Sequence, residues 1–382
     1  MDLNVWLDGA RLVACVGSGG VGKTTTAATI GLYAAARGRK VIVLTIDPAK
    51  RLANSLGLDG MSGEPTRIEL ERLSDAAVAP GGELWAMMLD SRGTFDALIA
   101  AVAPSAEARD RILGNHVYRA MADALAGSQD YMATEKLYDL VRDGRWDLVV
   151  LDTPPVKNAL DFLEAPGRVV AFLDERILSW FLAPIRDRRA GRRGGWAGWL
   201  LSGATGGLYR LLGYVFGQEF LDDFGEFLED FNGLYEGFRQ RHAAVLALLR
   251  APTTSFVVVT APNEASVDVA RFFEVELRRR ELPLAGCIVN QVHVAGDAGP
   301  GDVAALRARV APDLPVHTAA TLAGHLESAL DELRGQVRRE RAVLDGLRVG
   351  ARDGFWVEVP RFSHDVHDLP ALWAVARAIF AR

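Results

Sequence analysis

Gly17, Gly22, Lys23 and Thr24 stand in the stretch GSGGVGKT, with the spacing Gly-x-x-x-x-Gly-Lys-Thr. A loop with few β-carbons can turn successive backbone N–H groups inward around phosphate oxygens. A helix starting at its end adds its own unpaired N–H groups and the positive end of its dipole. In this pattern the lysine ammonium reaches the β- and γ-phosphates, and the threonine hydroxyl ligates Mg²⁺. The predicted cradle covers Gly17, Ser18, Gly19, Gly20, Val21, Gly22, Lys23, Thr24 and Thr25. Breaking a phosphoanhydride also needs a carboxylate for the metal and a group that positions water. Asp152 closes the apolar run DLVVLD, and Asp47 closes KVIVLTID. At the ends of parallel strands both carboxylates would emerge on the ligand side of a sheet. Lys23 and Asp47 are the catalytic candidates, and Thr24, Asp152 and Asp47 the metal ligands.

Such residues work only if neighbouring strands hold them. Leu12–Val16, Lys40–Ile46, Leu84–Leu89, Leu148–Leu151, Ser255–Thr260 and Leu284–Val289 are short runs rich in Val, Ile and Leu. They read as buried parallel strands. Lys23–Ala36, Asn263–Arg280 and Thr321–Leu347 read as helices between them. The alternation predicts an α/β fold with a doubly wound, mainly parallel sheet. The block from Leu173 to Arg250 has no strand signal. The predicted division is therefore a core in two parts, 1–172 and 251–382, around a helical insertion at 173–250.

Composition narrows the classes. The chain has 382 residues and a formal net charge of −6, which does not suit a nucleic-acid coat. Its two cysteines, Cys15 and Cys287, lie in predicted core strands, and there is no CxxC. That argues against a thiolate zinc site or a disulfide framework and suits a reducing cytoplasm. No signal peptide is legible in MDLNVWLDGARLVACVG.

Four stretches together resemble the ArsA/Get ATPases, within the deviant-Walker-A class of P-loop proteins. GSGGVGKTTTAA is similar to that family's phosphate loop, and TIDPAKRLANSLG to its first switch. VVLDTPPVKNALDFLEAP is similar to its second switch, and GCIVNQV to the strand whose asparagine binds adenine. The resemblance covers about residues 11–172 and 253–380. It implies a Mg²⁺-dependent ATPase and an ATP-driven dimeric switch. Lys23 and Thr24 would bind phosphate and Mg²⁺, Asp47 would polarise the attacking water, Asp152 would hold the metal through water, and Asn290 would read adenine. An asparagine ending a strand in a turn is the other reading of Asn290.

The family's additional signature lysine, which reaches a dimer partner's phosphates, would stand at position 18, where this chain has Ser18. A short neutral side chain cannot make that contact. The resemblance then implies either a heterodimer with a lysine-bearing relative or a catalytically weak scaffold subunit. Val156-Lys157-Asn158-Ala159 also departs from the family's second switch. A cysteine-based arsenite site is not expected.

Within the insertion, Gln218–Phe238 repeats phenylalanine and leucine three or four residues apart, opposite an acidic face. That pattern fits an amphipathic helix packed in the insertion's own core, or one wall of a groove for an apolar client helix. Trp196–Gly217, following the basic cluster Arg186–Arg193, is the segment nearest to a membrane element. Its arginine and glycines limit any membrane contact to the surface. His364 and His367 have a metal-compatible spacing but no evident third ligand, and Asp368 reads as a helix cap.

Overall fold

The computed structural model describes residues 2–47, 51–58, 60–73, 78–116, 118–119, 129–153, 234–294, 316–348 and 354–381, together with 305 and 308. Helix α1 (Leu3–Gly9) leads into strand β1 (Leu12–Gly17), helix α2 (Lys23–Ala36) and strand β2 (Lys40–Thr45). Helix α3 (Arg51–Ser55), strand β3 (Thr66–Ile68) and strand β4 (Glu83–Met88) follow. Helices α4 (Ser91–Val102), α5 (Ala106–Gly114) and α6 (Gln129–Arg142) precede strand β5 (Leu148–Asp152). Beyond residue 233 come α7 (Tyr235–Leu249), β6 (Thr254–Thr260), α8 (Glu264–Arg279) and β7 (Leu284–Val292). The last elements are α9 (Val316–Arg348), β8 (Phe355–Pro360) and α10 (Leu369–Phe380).

The strands form one eight-stranded sheet in the order β3-β4-β2-β5-β1-β6-β7-β8. Only the edge pair β3–β4 is antiparallel. Every residue of β1, β5 and β6 is buried, because helices cover both faces of the central strands. One apolar cluster joins the sheet to α4, α6, α7, α8 and the C-terminal turns of α9; the other joins it to α1, α2 and α10.

Local chemistry sets the element ends. Asp90, Ser105, Asn263 and Asp368 accept backbone N–H bonds at the starts of α4, α5, α8 and α10, so Asp368 is the cap its position suggested. Helix α2 is alanine-rich and buried nearly all round, between the sheet and α10, where Tyr33 stacks on Phe380 at 4.1 Å. Each predicted strand lies in the sheet, with ends shifted by up to three residues. Strands β3 and β8 are additional. Both are edge strands; β3 has only three residues, and alternating burial in β8 weakens its apolar signal.

Tyr235–Leu249, the C-terminal end of the block read as an insertion, packs against α4 and α6. Leu234 and Phe238, two members of the aromatic-aliphatic stripe, are buried in that cluster. Trp196–Gly217, Arg186–Arg193, the second switch beyond Thr153 and the rest of the stripe lie outside the described residues. Among the described residues no helix is long and apolar enough to cross a membrane.

Candidate functional site

All the parallel strands end at one edge, and the sequence-predicted residues collect there. Residues 18–22 link β1 to α2. A β-carbon at Gly17 would collide with the Val259 carbonyl of neighbouring β6, so the loop starts where only glycine fits. Gly22 ends the loop in the left-handed region with φ 92°, and a β-carbon there would strike the Asn290 amide. Helix α2 then begins without a side-chain cap. Its first turn therefore has no capping side chain to accept from its N–H groups, an arrangement that suits an anion.

Lys23 is only 7% exposed, and its Nζ donates to the Ser18 carbonyl at 2.8 Å. Burial lowers its pKa, while Asp152 opposes that shift. Ser18 donates its own hydroxyl to Ser266 Oγ, in the first turn of α8, at 3.2 Å. Asn290 Nδ2 donates to the Val21 carbonyl at 2.9 Å, tying the end of β7 to the loop. Gly19 and Gly20 are exposed, and Thr25 is half-buried.

Asp152 is 1% exposed at the end of β5. Its Oδ2 accepts from Thr24 Oγ1 at 2.8 Å and from Thr45 Oγ1 at 3.0 Å. Strand register explains the second bond, since Thr45 of β2 lies directly beside Asp152. The other carboxylate oxygen, Oδ1, is buried without a hydrogen-bond partner. Burial raises the Asp152 pKa to about 6, against the two threonine bonds and Lys23. The next residue, Thr153, donates to the Cys15 carbonyl at 2.7 Å and fixes the turn off β5.

Asp47 lies two residues beyond Thr45, and its backbone N–H donates to Thr45 Oγ1 at 3.3 Å. Its carboxylate pairs with Arg51 at 3.6 Å. The strand ends thus bring Lys23, Thr24, Asp47, Asp152 and Asn290 to one edge of the sheet. Thr45 and Ser266 carried no motif in the sequence. Thr45 stands beside Asp152 only because β2 and β5 are neighbours, and Ser266 meets Ser18 across 248 residues.

The donor set suits a hard divalent cation. A threonine hydroxyl and a carboxylate stand 2.8 Å apart, and one carboxylate oxygen lacks a partner that its burial requires. His364 and His367 do not add a second centre: His367 Nδ1 lies 2.8 Å from the Asp365 carbonyl, and no metal-binding group of three His, Cys, Asp or Glu occurs among the described residues. Cys15 and Cys287 are buried with raised pKa values, as core residues.

Comparison with known proteins agrees with this geometry. Residues 10–182 match the family model described as anion-transporting ATPase. The "ATPase get3" of Aspergillus terreus is 28% identical over 194 residues, 49% of this chain and 53% of that protein. "Protein Rv2184c" of Mycobacterium tuberculosis is 30% identical over 165 residues, 41% of this chain and 38% of that protein. "ATPase ARSA1" of Chlamydomonas reinhardtii is 26% identical over 309 residues, 74% of this chain and 35% of that protein. The chain spans about half or less of the length of these relatives. With its mainly parallel sheet and phosphate-type loop, the chain is similar, through residues 10–182, to the ArsA/Get-type ATPases.

Proposed function

We propose that the chain binds and hydrolyses ATP with Mg²⁺ and uses nucleotide state as a switch. The observation that carries this reading is Asp152, held between Thr24 and Thr45 at the mouth of a glycine loop with one oxygen unpartnered. Residues 17–25 cradle the phosphates, and Lys23 exchanges the Ser18 carbonyl for phosphate oxygens. Thr24 and Asp152 hold Mg²⁺, which neutralises charge on the β- and γ-phosphates when bound. Asp47, two residues beyond Thr45, orients the attacking water, and Asn290 contacts the base. The switch acts on an apolar client helix or a partner protein through the helical insertion at 173–250. The protein works in the cytoplasm, does not bind nucleic acid and meets a membrane at most at its surface.

Ser18 favours pairing with a related ATPase that carries the signature lysine. Its hydroxyl is spent on Ser266 of its own chain, so the partner would complete this site without receiving a lysine in return. The same contact supports a second reading, a subunit that binds Mg-ATP tightly and turns over little. Steady-state ATP hydrolysis by the purified chain separates them, with Asp47→Asn and a Mg²⁺ chelator as controls. We expect Mg²⁺-dependent turnover that drops about 100-fold in Asp47→Asn. Tight binding without turnover supports the scaffold reading, and no nucleotide binding overturns both.

A further inference from the structure

Glu340 occupies a place where a helix ordinarily buries an aliphatic side chain. It lies on α9 one turn before Leu344 and two before Leu347, on the same face, and it is 4% exposed. A carboxylate is buried this deeply only when its oxygens are satisfied. Here Oε2 accepts the His293 backbone N–H at 3.0 Å, while Oε1 lies 2.6 Å from His293 Nδ1 and accepts Gln336 Nε2 at 2.9 Å. The contact of Arg361 Nη1 with His293 Nε2 at 3.2 Å assigns the neutral ring its Nδ1–H form, which donates to Glu340. The acid thus grips both the backbone and the ring of His293.

The segment it grips is the irregular end of β7. Pairing with β8 shifts register between Val289 and Val292. Gln291 has φ 61°, a left-handed conformation that a non-glycine residue keeps only when its surroundings enforce it. This turn aims Asn290 at the phosphate loop, where Nδ2 meets the Val21 carbonyl. A carbonyl can only accept, so it fixes which end of the carboxamide is nitrogen. With the amide held that way, Oδ1 is the end left to receive a donor. Adenine offers an exocyclic amine, whereas guanine offers a carbonyl in the same place and would set two acceptors against each other.

We propose that Glu340 is a positioning residue for base selection: through His293 it holds the Asn290–His293 turn that locks the Asn290 amide, so that the site selects adenine over guanine nucleotides. This rests on the nucleotide-binding reading above. The role belongs to α9, an element whose residue 340 is 50 positions from the base-contacting side chain.

The test is displacement of a fluorescent ATP analogue by ATP, GTP and tripolyphosphate, for the wild type, Glu340→Ala, Glu340→Gln and His293→Ala. ATP affinity should fall about tenfold in Glu340→Ala, while GTP and tripolyphosphate stay within about twofold. Glu340→Gln keeps an acceptor for the His293 N–H and should retain the preference to within about threefold. His293→Ala keeps only the backbone grip and should fall between them. Equal losses for ATP and GTP would reduce Glu340 to a structural role and overturn the proposal, as would an unchanged preference in Glu340→Ala. If Glu340→Ala does not fold, an unchanged preference in His293→Ala overturns it instead. A wild type that binds no nucleotide would sink the underlying reading itself, whereas a wild type that binds ATP and GTP alike would sink only this proposal.

Discussion

Asp152 is an acid kept out of water at the centre of the site, and that placement has a sign. Its pKa rises from 3.8 to about 6 because burial disfavours the charged form. A raised acid stabilises the fold fully below the unfolded value, and that contribution is lost as pH climbs through the folded value. The unliganded protein should therefore lose about 2 kcal/mol between pH 4 and pH 7 from this group, to be read by denaturant titration. Asp152→Asn should remove that component. Cation binding needs the carboxylate, so Mg²⁺-dependent nucleotide affinity should strengthen as pH rises through about 6, and a flat profile from pH 5 to 7 would contradict the role. Lys23, Thr24, Asp47, Asp152 and Asn290 were legible in the sequence because each stands in a short local pattern. Thr45, Ser266, His293 and Glu340 were not, because their meaning depends on which strand or helix folds beside them.

At the scale of elements, the central strands announced themselves by unbroken apolar runs, the direct result of burial on both faces. Edge strands β3 and β8 bury fewer of their residues, and the sequence signal fades with that burial. The join between α6 and α7 also escaped sequence reading. Arg241 of α7 is 8% exposed and donates to Glu135 of α6, itself fully buried, at 2.6 Å. It also contacts Asp139 and lies over the Tyr138 ring at 4.2 Å. Buried ion pairs contribute little net stability, but half of one is costly. Arg241→Ala should destabilise the fold by about 3–5 kcal/mol in equilibrium unfolding. The double change Glu135→Leu with Arg241→Met should recover most of that loss. This pair thus fixes α7 against α6.

Considered whole, the molecule gathers its site from both halves of the chain. The loop is tied to β7 by Asn290 and to α8 by Ser266, so residues beyond 260 hold the motif that begins at Gly17. Ser18→Lys removes the Ser266 contact and supplies a long cation that a neighbouring copy could use. If closure of two subunits governs turnover, specific activity of Ser18→Lys should rise with protein concentration, while the wild type alone stays flat. Concentration-independent activity in both proteins would count against trans completion.

The collision a β-carbon at Gly17 would meet, against the Val259 carbonyl, also bears on the order of synthesis. Strand β1 lies between β5 and β6, whose register partners are 137 and 242 residues later in the chain. A ribosome that has released only the first 250 residues has made the whole motif but not the strand it leans on. The growing chain should therefore acquire its phosphate site late, after β6 and β7 have emerged, and such long-range pairing is slow. Nascent chains arrested before residue 254 should fail to retain ATP analogues, and those arrested with β7 outside the ribosomal tunnel should retain them.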